Sequence, residues 1–214
     1  MRTATPLKAF LRMLLVDPGP SVFNPWTSHD ALTDASGNGP TARRERLLAH
    51  LSTTPKAVLI GEASGYQGCH VSGIPFTSER LLIAGAVPRV RLAGPRLSLR
   101  ATPWSEPSAT IVWGTLHALC IAEQTVLWNA FPWHPHRAGN PQSNRTPTNG
   151  ERARGLPVLS AFLALFPSAR LFAVGRQAEQ AIVNCGVQAT ALRHPSMGGA
   201  RLFRDGLERA VRHH

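Results

Sequence analysis

The chain is poor in cysteine. Cys69, Cys120 and Cys185 are odd in number and far apart, which excludes a disulfide framework and any C-x-x-C metal site. A reducing cytoplasm fits that pattern. Lysine is nearly absent: only Lys8 and Lys56 among 23 basic side chains. Acidic residues number 12, and Tyr66 is the one tyrosine. No run of eighteen apolar residues occurs, so no membrane span is expected and no membrane partner. The apolar patch near the N-terminus is broken by Lys8 and Arg12 and lacks an A-x-A-like site. It reads as an amphipathic first helix over about 3–16, not as a signal peptide.

What is present is arginine. The formal net charge is +11, which favours a polyanionic partner, nucleic acid first. Part of the surplus is concentrated: Arg89, Arg91, Arg96 and Arg100 fall between Ala86 and Ser105 with no acid among them. Pro88, Gly94, Pro95 and Pro103 make that stretch a basic loop and not a helix face.

The 214 residues suit one domain spanning 1–214, expected to be monomeric. Residues 17–40 read as loop, and a second helix over about 41–52 places Leu47, Leu48 and Leu51 at helical spacing. AVLI at 57–60, TVLWNAF at 125–131, RLFAVG at 170–175 and VQATALRHP at 187–195 read as strands. Helices are expected at about 79–86, capped by Ser78, after Thr148-x-x-Glu151, across QAEQAIVNC, and over about 199–212. Residues 133–151 read as a long loop. The alternation predicts an α/β fold: a three-layer αβα sandwich around a four-stranded, mostly parallel sheet. GEASGY, NAFPWHPH, VGRQ and HPSMGG all follow strand ends, the edge at which open α/β sheets bind ligands.

Each of these turns carries residues with a possible chemistry and a plainer role. The GEASGYQG turn can offer backbone N–H groups to an anion or carbonyl, but matches neither nucleotide-binding glycine pattern. Glu62 is either a general base or a carboxylate that holds the turn. Phe76 is a core aromatic or a stacking platform. Asn129 ends an apolar strand and is a structural amide or a reader of a pyrimidine edge. His134 and His136 form an H-x-H pair, yet Pro132 and Pro135 disrupt regular structure there and no acid is close in sequence, so no metal is expected. His194 caps a turn or donates to a developing anion.

Taken together, four stretches resemble the uracil-DNA glycosylase superfamily. GEASG resembles the first motif of its family 4 type, with Ser64 where proline is usual. SGIPFTSERLL resembles the stretch carrying the stacking phenylalanine. LWNAFPWHPHRAGNPQSNRTPTNGE resembles the strand asparagine and the loop after it. RHPSMGG resembles the second motif. The match covers roughly 57–205 in order, and is most similar to a bacterial branch without an iron–sulfur cluster. Three isolated cysteines cannot hold a four-thiolate cluster, so no cofactor is expected.

The resemblance implies hydrolysis of the N-glycosidic bond of deoxyuridine in DNA after the nucleotide is flipped out. Phe76 would stack on uracil, Asn129 read its edge and His194 donate to O2. Gly61, Ala63, Ser64 and Gly65 would assist through backbone N–H groups, with Glu62 or Asn129 orienting water. Tyr66 would line the pocket near C5. Met197, beside Ser196, would fill the vacated stack. Arg89, Arg91, Arg96, Arg100, Arg137 and Arg201 would meet phosphates. Ala63 stands where family 1 enzymes carry a water-activating aspartate. A non-catalytic binder of uracil or abasic DNA is the alternative, and a metal-dependent small-molecule hydrolase a third.

Overall fold

The computed structural model describes residues 4–212. In chain order the elements are α1 (Ala4–Leu14), β1 (Val22–Phe23), α2 (Pro40–Leu51), β2 (Ala57–Ala63), α3 (Cys69–Ser72), α4 (Glu79–Ile83), α5 (Pro107–Ala118), β3 (Thr125–Phe131), β4 (His134–Pro135), α6 (Asn149–Leu163), β5 (Arg170–Val174), α7 (Arg176–Asn184), β6 (Thr190–Leu192) and α8 (Ala200–Arg212). The main sheet runs β3-β2-β5-β6, and all three pairings are parallel.

Parallel strands buried on both faces carry continuous apolar runs, and their alternation sorts each residue to one layer. Leu59, Leu127, Phe172 and Val174 join the core beneath α4, α5 and α8, with Trp113, Phe203 and Leu207. Val58, Ile60, Val126, Trp128 and Ala173 join the core beneath α1, α6 and α7, with Phe10, Phe162 and Ile182. The αβα sandwich expected from the sequence is therefore the architecture, with every pairing in the main sheet parallel.

Several boundaries move. The start of the first helix at residue 3 lies outside the described residues. Ser78 occupies the N-cap position of α4, but its Oγ is buried without a partner among the described residues and does not cap. The strand expected over 187–195 contracts to Thr190–Leu192, the residues that pair with β5 at the sheet edge. The stretch read as a basic loop holds no helix or strand, but helix α5, not expected from the sequence, follows it, begun by Pro107 at its first turn. Residues 133–151 are not wholly loop: His134 and Pro135 pair with Phe23 and Val22 in a small antiparallel ribbon. By contrast the Thr148–Glu151 capping box forms in full, with Glu151 N–H donating to Thr148 Oγ1 at 3.2 Å and Thr148 N–H to Glu151 Oε2 at 2.7 Å.

Not all of the arginine surplus is on the surface. Arg43 is buried and pairs with Asp34, and it donates to the carbonyls of Pro25, Ser28 and Val71. Arg46, also buried, donates to Ser72 O at 2.7 Å and to Asn38 Oδ1 at 2.5 Å. These two guanidiniums pin the long segment between α1 and α2 onto α3, a role suited to a planar group with five donors.

Candidate active site

A cleft of about 940 Å³ opens at the carboxyl edge of the sheet. Its lining includes Ala63, Ser64 and Gly65 from the turn after β2, Phe76, Asn129 at the end of β3, Asn144 and Arg145 from the loop before α6, and His194 to Met197 after β6. Chain topology thus delivers four sequence-distant turns to one edge.

The glycine turn is built for close approach. Gly61 and Asn129 are register partners in neighbouring strands. A Cβ on Gly61 would overlap the Phe76 ring and come within 2.7 Å of the Asn129 amide. Glycine is required there so that Phe76 can lie flat beside the strand end. Phe76 itself is held at φ 50°, and Met197 at φ 52°. Positive φ is costly for a side chain with a Cβ, and such strain tends to collect at ligand sites. The Phe76 and His194 rings are 6.5 Å apart at 35°.

Asn129 is almost fully buried. With Nδ2 turned to the Trp128 carbonyl (3.2 Å), its Oδ1 accepts from the Ser64 N–H (3.2 Å), and both ends of the amide are satisfied. The Ser64 hydroxyl donates to the Pro132 carbonyl, tying the turn after β2 to the end of β3. Asn144 closes the other side, its Oδ1 accepting from the Tyr66 N–H at 3.0 Å.

The tautomer of His194 follows from its partners. Nδ1 accepts from the backbone N–H of Ser196 at 3.2 Å and lies 2.7 Å from Ser196 Oγ. A backbone N–H can only donate, so a neutral His194 carries its proton on Nε2. Burial, and secondarily the Arg193 charge, push the His194 pKa below its ordinary value, which favours that neutral form.

The remaining expected residues divide. Glu62 borders the cleft, and its Oε1 is buried with no partner among the described residues. Tyr66 does not line the cleft; its ring packs edge-on against Trp104 at 5.4 Å. The Arg100 guanidinium lies over the Trp104 ring, 3.7 Å from its centre. Arg89 is at the wrong end of the molecule for the cleft. It donates to the carbonyls of Glu123 and Thr125, at the amino end of β3, and to that of His50. Arg96 holds Glu79 and the Arg100 carbonyl in place. Arg91 is exposed, Arg137 borders a neighbouring cavity with His136 and Arg154, and Arg201 is exposed on α8 beside Asp205. A second cavity of about 740 Å³ adjoins the cleft through Glu62, His194 and Ser196, and it adds Arg176 and Arg193 to the positive rim.

The H-x-H pair has a role hidden in the sequence. His134 Nδ1 lies 2.9 Å from His70 Nδ1, His70 Nε2 lies 3.0 Å from Asp30, and His134 Nε2 reaches the Ser143 carbonyl at 2.9 Å. Asp30 is the acid absent from the local sequence. The chain anchors the loop that carries Asn144 and Arg145. Asn144, Arg145 and Glu106 were not singled out from the sequence. Asn144 and Arg145 lie in a loop without periodicity, and the local signal for Glu106 is the Pro107 that follows it and opens α5.

A family model for the Uracil DNA glycosylase superfamily matches residues 49–206. The chain belongs to that superfamily, whose members are DNA glycosylases, hydrolases of the bond between base and sugar. Among solved structures, the crystal structure of wild-type SMUG2 from Pedobacter heparinus has the same fold. The TM-score is 0.67 at 16% identity, over 97% of this chain and 97% of that one. No curated protein matches the chain.

Proposed function

We propose that the protein removes uracil from DNA by hydrolysing its N-glycosidic bond, leaving an abasic site. The observation that carries this is the convergence of Phe76, Asn129 and His194 on one cleft beside a glycine turn. An extruded uracil stacks on Phe76. The Asn129 amide, with one donor and one lone pair spent on the protein, keeps one of each for the uracil edge. Cytosine presents an amino group where uracil presents a carbonyl, so the same amide disfavours it. His194 Nε2–H donates toward O2 as the base departs with negative charge, joined by backbone N–H groups of the turn after β2 other than that of Ser64, which Asn129 takes. Neutral donors fixed in advance are effective here because they need no reorganisation as charge develops. Glu62 borders the cleft at the carboxyl end of β2. Met197, 91% exposed on its strained turn, is the candidate to enter the vacated stack. Arg100, Arg176 and Arg193 are candidates for phosphate contact.

The test is incubation with uracil-containing duplex DNA followed by alkali. Strand scission at uracil is expected, and His194→Ala should lower it by about a hundredfold or more. Ala63, which supplies no carboxylate to the turn, favours a second reading as a non-catalytic binder. Retention of uracil DNA without alkali-labile sites would select that one.

A further inference from the structure

Three buried carboxylates in this fold are saturated. Glu79 accepts from Arg96 Nε, from the N–H groups of Leu97, Ser98 and Trp104, and from the Ser98 hydroxyl. Asp34 pairs with Arg43, and Glu151 with Arg145 and Thr148. Glu106 is different. It precedes Pro107 at the head of α5 with extended backbone, and its Oε2 is buried with no hydrogen-bond partner among the described residues. A Cβ at Gly68 would overlap that oxygen, so glycine makes the room it occupies. A buried carboxylate oxygen without a partner is costly to keep, and this one belongs to a half-buried side chain that borders the same cleft as Phe76, Asn129 and His194.

Glu62, in the turn after β2, also borders the cleft, but its side chain starts from the other face of the strand. Gly61 faces Phe76, so strand alternation turns Glu62 to the opposite layer with Val58 and Ile60. There Glu62 also borders a small cavity with Arg152, Leu156 and Gln177, between α6 and α7.

We infer that Glu106 accepts the proton of the water that attacks the sugar, an inference that rests on the uracil-excising function proposed above. The water oxygen bonds to C1′ while the C1′–N1 bond breaks. The bonding pair leaves with the base as the uracil anion. One water proton passes to the Glu106 carboxylate, and the other stays on the new C1′ hydroxyl. The resulting carboxylic acid returns its proton to solvent.

Only ionised Glu106 serves. Burial without compensating donors raises its pKa to about 7, where base strength and the ionised fraction are balanced near neutral pH. The rate therefore falls as pH drops through that value. Of the titratable groups around it, the Cys69 thiol is pushed up to about 12 by burial and stays neutral. His194 is shifted below its ordinary value, and Glu62 and Arg145 share the cleft.

The experiment is single-turnover excision from a uracil-containing duplex between about pH 5.5 and 9, with thermal unfolding followed in parallel. Glu106→Gln keeps the shape and removes the base. It should lose about a hundredfold or more in rate while still binding uracil DNA, and its rate should no longer fall below about pH 7. Glu106→Ala should regain part of its rate with added formate, and Glu62→Gln should keep the wild-type pH profile. A Glu106→Gln rate equal to wild type, or a slower one that still falls through the same pH range, overturns the assignment. Wild-type protein that excises no uracil overturns the function with it, whereas active wild type with an indifferent Glu106→Gln overturns the base alone.

Discussion

Gly61 is the residue on which the cleft depends most directly. Its missing Cβ lets Phe76 and Asn129 share the end of two adjacent strands. Gly61→Ala should push the Phe76 ring aside, destabilising the fold by roughly 1–3 kcal/mol. Excision should slow by about tenfold or more, because a stacked base would sit out of line with its donors. Thermal unfolding and single-turnover kinetics on the same preparation check both. Under the proposed function, the spare donor and acceptor of Asn129 read the uracil edge. Asn129→Ala should fold as the wild type does in circular dichroism and lose about a hundredfold in uracil excision. Wild-type excision by that variant would refute its assigned role.

At the scale of elements, the junction of the loop before α6 with the helix itself is held by one carboxylate. Glu151 takes two 2.7 Å bonds from Arg145 and closes the capping box with Thr148. The Arg145 bonds, more than any other influence, lower its pKa to about 2 against an ordinary 4.5. A depressed carboxylate contributes stability above its unfolded pKa and loses it as pH falls through the folded one. The advantage of wild type over Glu151→Gln should thus be full at neutral pH, roughly 1–3 kcal/mol. It should vanish between about pH 4.5 and 2 in acid-denaturation curves. Because the same loop presents Asn144 to the Tyr66 N–H, the variant should also excise uracil more slowly at neutral pH.

Over the whole molecule, the net charge of +11 predicts a steep salt dependence. Each phosphate neutralised should contribute about −0.9 to the slope of log affinity against log salt. Arg100→Ala or Arg193→Ala should reduce that slope by about one. Arg89→Ala should leave it unchanged and lower the unfolding temperature instead, since its partners are the carbonyls of His50, Glu123 and Thr125. An Arg89 effect on DNA affinity equal to that of Arg100 would contradict this division of the arginines.

The four parallel strands, the capping box before α6 and the order of the motif-bearing turns were written in the sequence, because apolar runs, turn residues and caps act over a few neighbouring positions. Short-range signals also drew attention to Phe76, Asn129 and His194 one at a time. Only the tertiary structure decided which groups meet. It carried Arg89 to the amino end of β3, buried Arg43 and Arg46, joined Asp30 to His70 and His134, and left the Glu106 carboxyl unpaired beside Gly68. The physical reason is that a side chain's charge and reactivity depend on burial and on partners supplied by distant segments, and the crossovers that set strand order determine those partners.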